Sequence, residues 1–185
     1  RALARAGHYD EAYFAELARR AQWQDVGAVS QVVLAAHAAG QGDSASARRL
    51  AQGVSDQVVV RLHQGSEIYG GLKEQRTGPR QVLPSEARTL GEVSRALTAA
   101  RPDDAKREKV VDALVTQGGE DGWGSTQANA EALMALADHL EKTQRPARQV
   151  EVVQGGDTLT VALGGKAGPA GHLVQLEAPE AQLTW

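Results

Sequence analysis

Gln117-Gly118-Gly119-Glu120-Asp121-Gly122-Trp123-Gly124-Ser125-Thr126-Gln127-Ala128-Asn129 is the most distinctive string in this 185-residue chain. Its glycines stop one helix and allow a tight turn. Trp123 brings a ring large enough to plug between helices, and Ser125 or Thr126 supplies an N-cap for the next helix. Gly122, Trp123, Gly124, Ser125 and Thr126 are therefore read as a structural inter-helix turn, without a catalytic, cofactor-binding or metal role.

Helical periodicity extends from this turn in both directions. Upstream, Val110, Val111, Leu114 and Val115 mark the inward face of a helix started by Asp103. Downstream, Leu133, Leu136 and Leu140 are expected to face the core. Leu90, Val93 and Leu97 form a stripe after Pro84-Ser85, in a helix that ends before Pro102. Nearer the N-terminus, Tyr13, Phe14, Leu17, Ala18 and Ala21 share a face after Asp10. Val26, Val29, Val33 and Ala36 do so after Asp25, in a helix ended by Gly40 and Gly42. Ala47, Leu50, Ala51 and Val54 follow Asp43-Ser44. Short loops between such helices force antiparallel neighbours. Helix pairs at this spacing are how solenoids and α/α toroids are written.

Two stretches break the rhythm. Val58, Val60 and Leu62 alternate, and Ile68, Gly70 and Leu72 can answer them across His63-Gln64-Gly65-Ser66, which predicts a β-hairpin near 57–73. Lys73 to Arg80 then reads as a polar surface loop. After Pro146, Val150 and Val152 alternate with Glu151, and Gly155-Gly156 can turn the chain into Leu159, Val161 and Leu163. His172–Ala178 is a third candidate strand. The predicted fold is mainly α with a β tail: residues 1–145 as part of an α/α toroid of antiparallel helical hairpins, and 146–185 as a β segment.

Composition removes whole classes of function. With 20 basic and 23 acidic residues the formal charge is -3, which offers phosphate backbones and anionic lipid no general attraction, so nucleic acid is not an expected partner. No stretch approaches the roughly 18 apolar residues of a membrane span, and direct membrane insertion is not expected. Zero cysteines exclude disulfides, thiolate zinc ligands and thiol nucleophiles from this chain. Because it starts at Arg1 and not Met, the chain is expected to be a piece of a longer protein.

Here a resemblance enters. Gly122-Trp123-Gly124-Ser125-Thr126-Gln127-Ala128-Asn129-Ala130, running into Ala132-Leu133-Met134-Ala135-Leu136-Ala137, resembles the last helical hairpin of the thioester domain of bacterial alpha-2-macroglobulins. Leu83-Pro84-Ser85-Glu86-Ala87-Arg88-Thr89-Leu90-Gly91-Glu92-Val93 and Arg1-Ala2-Leu3-Ala4-Arg5-Ala6-Gly7 are similar to the same domain. The resemblance implies the C-terminal part of an α/α toroid over residues 1–145, returning into a CUB-type β-sandwich after Pro146. It also implies a large periplasmic or cell-envelope protease trap as parent, with proteases and neighbouring domains of the same chain as partners. The family's thioester joins a Cys to a Gln within Cys-x-Glu-Gln, and this chain has no Cys to form one. Either that motif lies upstream or the parent traps without it. Leu72-Lys73-Glu74-Gln75 has the Glu-Gln with Leu in the place of Cys, and reads as a polar loop leaving the hairpin.

The remaining candidates are weak. His8, His37, His63, His139 and His172 show no metal spacing, and none sits beside a nucleophile. Gly53-Val54-Ser55-Asp56-Gln57 breaks the Gly-x-Ser-x-Gly elbow at its last position. Gly164-Gly165-Lys166 lacks the helix that a phosphate loop needs. Arg19-Arg20 and Arg48-Arg49 read as solvated helix faces. Glu141-Lys142 and Arg145 read as charge at a helix C-terminus. Asp103-Asp104 reads as a helix cap, not the acidic cluster of a terpene cyclase. The expected function is thus a non-catalytic structural and docking domain without cofactor. A helical-repeat protein-binding scaffold is the alternative, and a toroid enzyme acting on terpenoids or polysaccharides is disfavoured.

Overall fold

In the computed structural model, residues 2–73 and 85–143 are described in full, and 148–154, 157–163 and 182–184 by their backbone. The polar loop predicted for Lys73 to Arg80 falls, after Lys73, outside the described residues, as does the candidate strand His172–Ala178. The chain is mainly α with a small β part. Residues Arg1–Lys142 form one compact unit and Thr143–Trp185 another.

Side-chain caps set the helix starts. A short turn α1 (Ala2–Arg5) precedes α2 (Glu11–Arg19), where Asp10 accepts from the Tyr13 N–H at 2.9 Å. After a single 3-10 turn, Ala21–Trp23, Asp25 caps α3 (Val26–Ala38) and Ser44 caps α4 (Ala45–Gln57). Ser85 caps α5 (Glu86–Ala100), and Ser125 caps α7 (Thr126–Lys142) by accepting from Ala128 N–H at 3.1 Å. Each such oxygen satisfies an amide that the helix itself leaves orphaned. Between them, α6 (Ala105–Gln117) is capped by Asp104 and not by the predicted Asp103. Ser55 and Arg101 both donate to the Asp104 carboxylate, at 2.6 and 2.9 Å, and select it.

The predicted hairpin forms from β1 (Val58–His63) and β2 (Ser66–Leu72), antiparallel with His63 opposite Ser66. Gln64 and Gly65 both have positive φ, 49° and 80°, as a tight two-residue hairpin turn of matching twist requires. A bulge after Val59 shifts the register, so Val60 faces Tyr69 and Leu62 faces Glu67. Of the expected alternating set Val58 is buried and Leu72 packs on the core, while Leu62 ends exposed and Tyr69 packs on the core in addition.

Helix α5 lies at the centre, with Leu90, Val93 and Leu97 fully buried. Burying each such side chain stabilises the fold by about 1.5–3 kcal/mol. Helices α3, α5 and α7 lie side by side and run the same way. Gly27 faces Glu92 toward one end of the α3–α5 pair, and Leu34 and His37 share a cleft with Arg95 and Thr98 toward the other. Along the α5–α7 pair, Gly91 abuts Glu131 and Ala132, and Arg95 reaches Glu131 and Asp138. Helix α6 packs against α5 and runs antiparallel to α7, since Glu108 near its start approaches His139 near the end of α7. The β1–β2 hairpin packs on α6.

Four expected core positions on the helices point outward. The buried stripe of α7 is Ala128, Ala132 and Ala135, because a Gly91 contact brings α5 too close for larger side chains; Leu133 and Leu140 are exposed, and only Leu136 of the predicted leucines packs on the core. Val115 on α6 and Tyr13 on α2 are also exposed. On α2, α6 and α7 the buried stripe is narrower than the apolar sequence, whereas central α5 is buried even at Glu92, Ser94, Arg95 and Thr98.

In the second unit, β3 (Arg148–Gln154) and β4 (Asp157–Leu163) pair antiparallel from Arg148 opposite Leu163 to Gln154 opposite Asp157. Strand β5 (Gln182–Thr184), which the sequence reading did not anticipate, pairs antiparallel on the other edge of β3 and gives the order β4-β3-β5.

Candidate functional site

The turn from Gly118 to Ser125 is held from inside. Trp123 packs against the core and its indole N–H donates to the Leu114 carbonyl at 2.7 Å, tying the turn to the end of α6. Its backbone N–H donates to Asn129 Oδ1 at 2.6 Å, tying the same residue to the start of α7. Gly122 and Gly124 have φ of 78° and 84°, where a side chain is strained. Gly119 and Gly122 exchange backbone hydrogen bonds across the tip. Gly122, Trp123, Gly124, Ser125 and Thr126 thus join α6 to α7, and none offers a nucleophile beside a base.

A second arrangement was not singled out from sequence. Arg88, Glu92 and Arg95 recur at helical spacing on α5, on the side between α3 and α7. Arg95, 3 % exposed, donates through Nε to Asp138 at 2.7 Å and through Nη1 to Glu131 at 3.1 Å, with Met134 Sδ beside it. Burial pushes the Glu92 carboxyl above its ordinary range, and Glu131 and Asp25 add to this. Arg88 and a hydrogen bond with Gln31 pull the other way. A signal was present in the chain: charges at three- and four-residue steps on a helix whose other face carries Leu90, Val93 and Leu97, answered by Glu131 and Asp138 seven apart.

This belt locks charge in place and leaves little for chemistry. Both carboxylates nearest Arg95 are bound to it, so neither is poised as a free general base. Among the described residues no group of three His, Asp or Glu side chains is placed to hold a metal. His37 is half-buried, and burial lowers its pKa first, with Lys142 adding to that and Asp43 opposing. Burial also works against ionising Asp104, but hydrogen bonds from Ser55, Arg101 and the Lys106 amide outweigh it and hold the carboxyl below its usual range. His172 and the Gly164-Gly165-Lys166 string lie outside the described residues.

Comparison with protein families, curated proteins and solved structures finds no match.

The outer face of α7 completes the geometry. Ala130, Leu133, Ala137 and Leu140 follow one another at three- and four-residue steps and are all exposed, Leu133 by 59 % and Leu140 by 71 %. The spacing matches the stripe of Ala128, Ala132 and Ala135 that α7 turns toward α5. Helix α7 thus has two apolar stripes, and only one is covered among the described residues. No helix there is long and apolar enough to cross a membrane.

Proposed function

We propose that this chain is a non-catalytic structural and docking domain, built like the helical part of a bacterial alpha-2-macroglobulin-type protease trap. The observation that carries the docking role is the uncovered α7 stripe. Ala130, Leu133, Ala137 and Leu140 have the spacing with which one helix receives another, and isolated exposed leucines do not. Three further features support the toroid architecture: α3, α5 and α7 run side by side in one direction, α6 returns behind them, and the Gly122–Thr126 turn joins the last pair. The link to protease traps rests on the residue resemblance alone. In that reading the partners are neighbouring domains of the parent and, through it, proteases in the periplasm or cell envelope.

The helical-repeat scaffold remains the second reading, and the same α7 stripe favours it, since stacked repeats cover such faces with the next hairpin. Binding of a hydrophobic dye, measured with sedimentation over a range of concentrations, tests the docking role. The native chain is expected to bind dye and self-associate, and the L133E/L140E variant to do neither while keeping its far-UV dichroism. Equal dye binding and equal sedimentation of the two proteins would refute a docking role for α7. Reading the same frame upstream of Arg1 separates the parents. Macroglobulin sandwiches with a bait linker are expected, and helical repeats there would assign the scaffold.

A further inference from the structure

A cleft of about 730 Å³ opens between α2 with its 3-10 turn, α3 and α4. That volume is in the range of natural ligand sites. Its apolar lining comes from Ala18, Val26, Val29, Leu50 and Val54. Every charged residue that lines it is a cation: Arg19, Arg49 and Lys73. Glu16 pairs with Arg19, but no carboxylate among the described residues pairs with Arg49 or Lys73. Three amide side chains, Gln22, Gln24 and Gln57, complete the rim, and Gln24 already donates to the Leu17 carbonyl at 3.3 Å.

The middle of the α4 wall is empty by design of the sequence. Arg49, Gly53 and Gln57 lie four apart along one face, so Gly53 stands between a cation and an amide with no side chain of its own. A Cβ placed at Gly53 meets no atom within 4 Å. Glycine inside a helix costs about 0.5–1 kcal/mol relative to alanine, and no packing within the fold requires it here. What it leaves is open space above Leu50 and Val54.

We infer that this cleft binds an acidic, amphipathic polypeptide segment. The apolar floor takes the segment's apolar side chains. Arg49 and Lys73 face its carboxylates, and the rim glutamines offer both donors and acceptors to its backbone amides. The cleft shares no residue with the α7 stripe and stands independently of the role proposed for it.

The test is fluorescence anisotropy of a short fluorescein-labelled peptide with repeating Leu-Leu-Glu-Glu, titrated with the full chain. Saturable binding is expected, weaker at high salt, and about tenfold weaker for G53L and for R49E/K73E. The charge-reversed surface variant keeps the test alive if a leucine at position 53 disturbs folding, which far-UV dichroism reads directly. Equal binding of a Leu-Leu-Lys-Lys peptide would overturn the assignment, as would indifference to both variants. Labelled dodecanoate that binds in a Gly53-dependent way while the acidic peptide does not would give the cleft to a small amphiphile and remove the polypeptide.

Discussion

The same substitution, glycine to alanine in a helix interior, is expected to have opposite signs at two positions of this chain. At Gly53 on α4 the added Cβ meets nothing within 4 Å, so only the helix preference acts and stability rises by about 0.5–1 kcal/mol. At Gly91 on α5 the same gain is available, but the Cβ would lie 2.9 Å from the Glu131 carbonyl carbon and oxygen and 3.1 Å from Ala132 N. Those atoms are α7 backbone, so relief requires the two helices to move apart. Overpacking of this kind costs about 1–3 kcal/mol, which leaves G91A net destabilised by about 1 kcal/mol. Urea unfolding followed by far-UV dichroism resolves both, and for a chain of this size each kcal/mol moves Tm by about 2–4 °C. If G91A proved as stable as G53A, the close α5–α7 approach, and with it the explanation for the alanine stripe of α7, would be wrong.

Three further substitutions probe the turn and the charged belt. G122A places a side chain at φ 78° and a Cβ 2.7 Å from Asn129 Oδ1, and should cost about 1–2 kcal/mol in chemical denaturation. R95M leaves Glu131 and Asp138 without the buried guanidinium between them. The rule for breaking buried pairs gives about 3–5 kcal/mol, and discounting for the 39 % exposure of the Asp138 side chain brings the expected loss to about 2–3. Adding E131Q and D138N should restore part of it, and no recovery would place the role of Arg95 in packing. E92Q is pH-dependent. Because the folded-state pKa of Glu92 is raised, its ionised form destabilises the fold at neutral pH, and that penalty is relieved as pH falls through the folded value. E92Q should therefore be more stable than the native chain at pH 7 and equal to it below about pH 4, where Glu92 is neutral in both states. An unchanged difference across the range would refute the burial argument.

Local signals were legible in the sequence wherever a residue acts on its own neighbourhood. Ser44, Ser85 and Ser125 cap the helices they precede, since a cap needs only its own oxygen and an amide three residues on. The Gln64-Gly65 turn and the Gly122–Thr126 corner were legible for the same reason. The choice of Asp104 over Asp103 was not, because Ser55, 49 positions away, helps decide it. Nor was β5, whose three residues carry too short a pattern to distinguish from loop. The charged belt on α5 left a spacing signal, yet its meaning depended on which helices came to flank it.

Periodicity, glycine placement and cap chemistry by themselves determined that this chain folds mainly as short helices with one hairpin, followed by strands. The stripes read on α3, α4 and α5 are the buried ones, but the tertiary structure alone decided which apolar positions of α7 are inside. Leu133 and Leu140 are as apolar as Leu136, but α7 approaches α5 at Gly91, and only alanines fit along that line. Hydropathy measures what a side chain gains from leaving water, whereas the facing helix sets how much room it finds. That difference turned two expected core leucines into the exposed stripe from which a docking role is proposed.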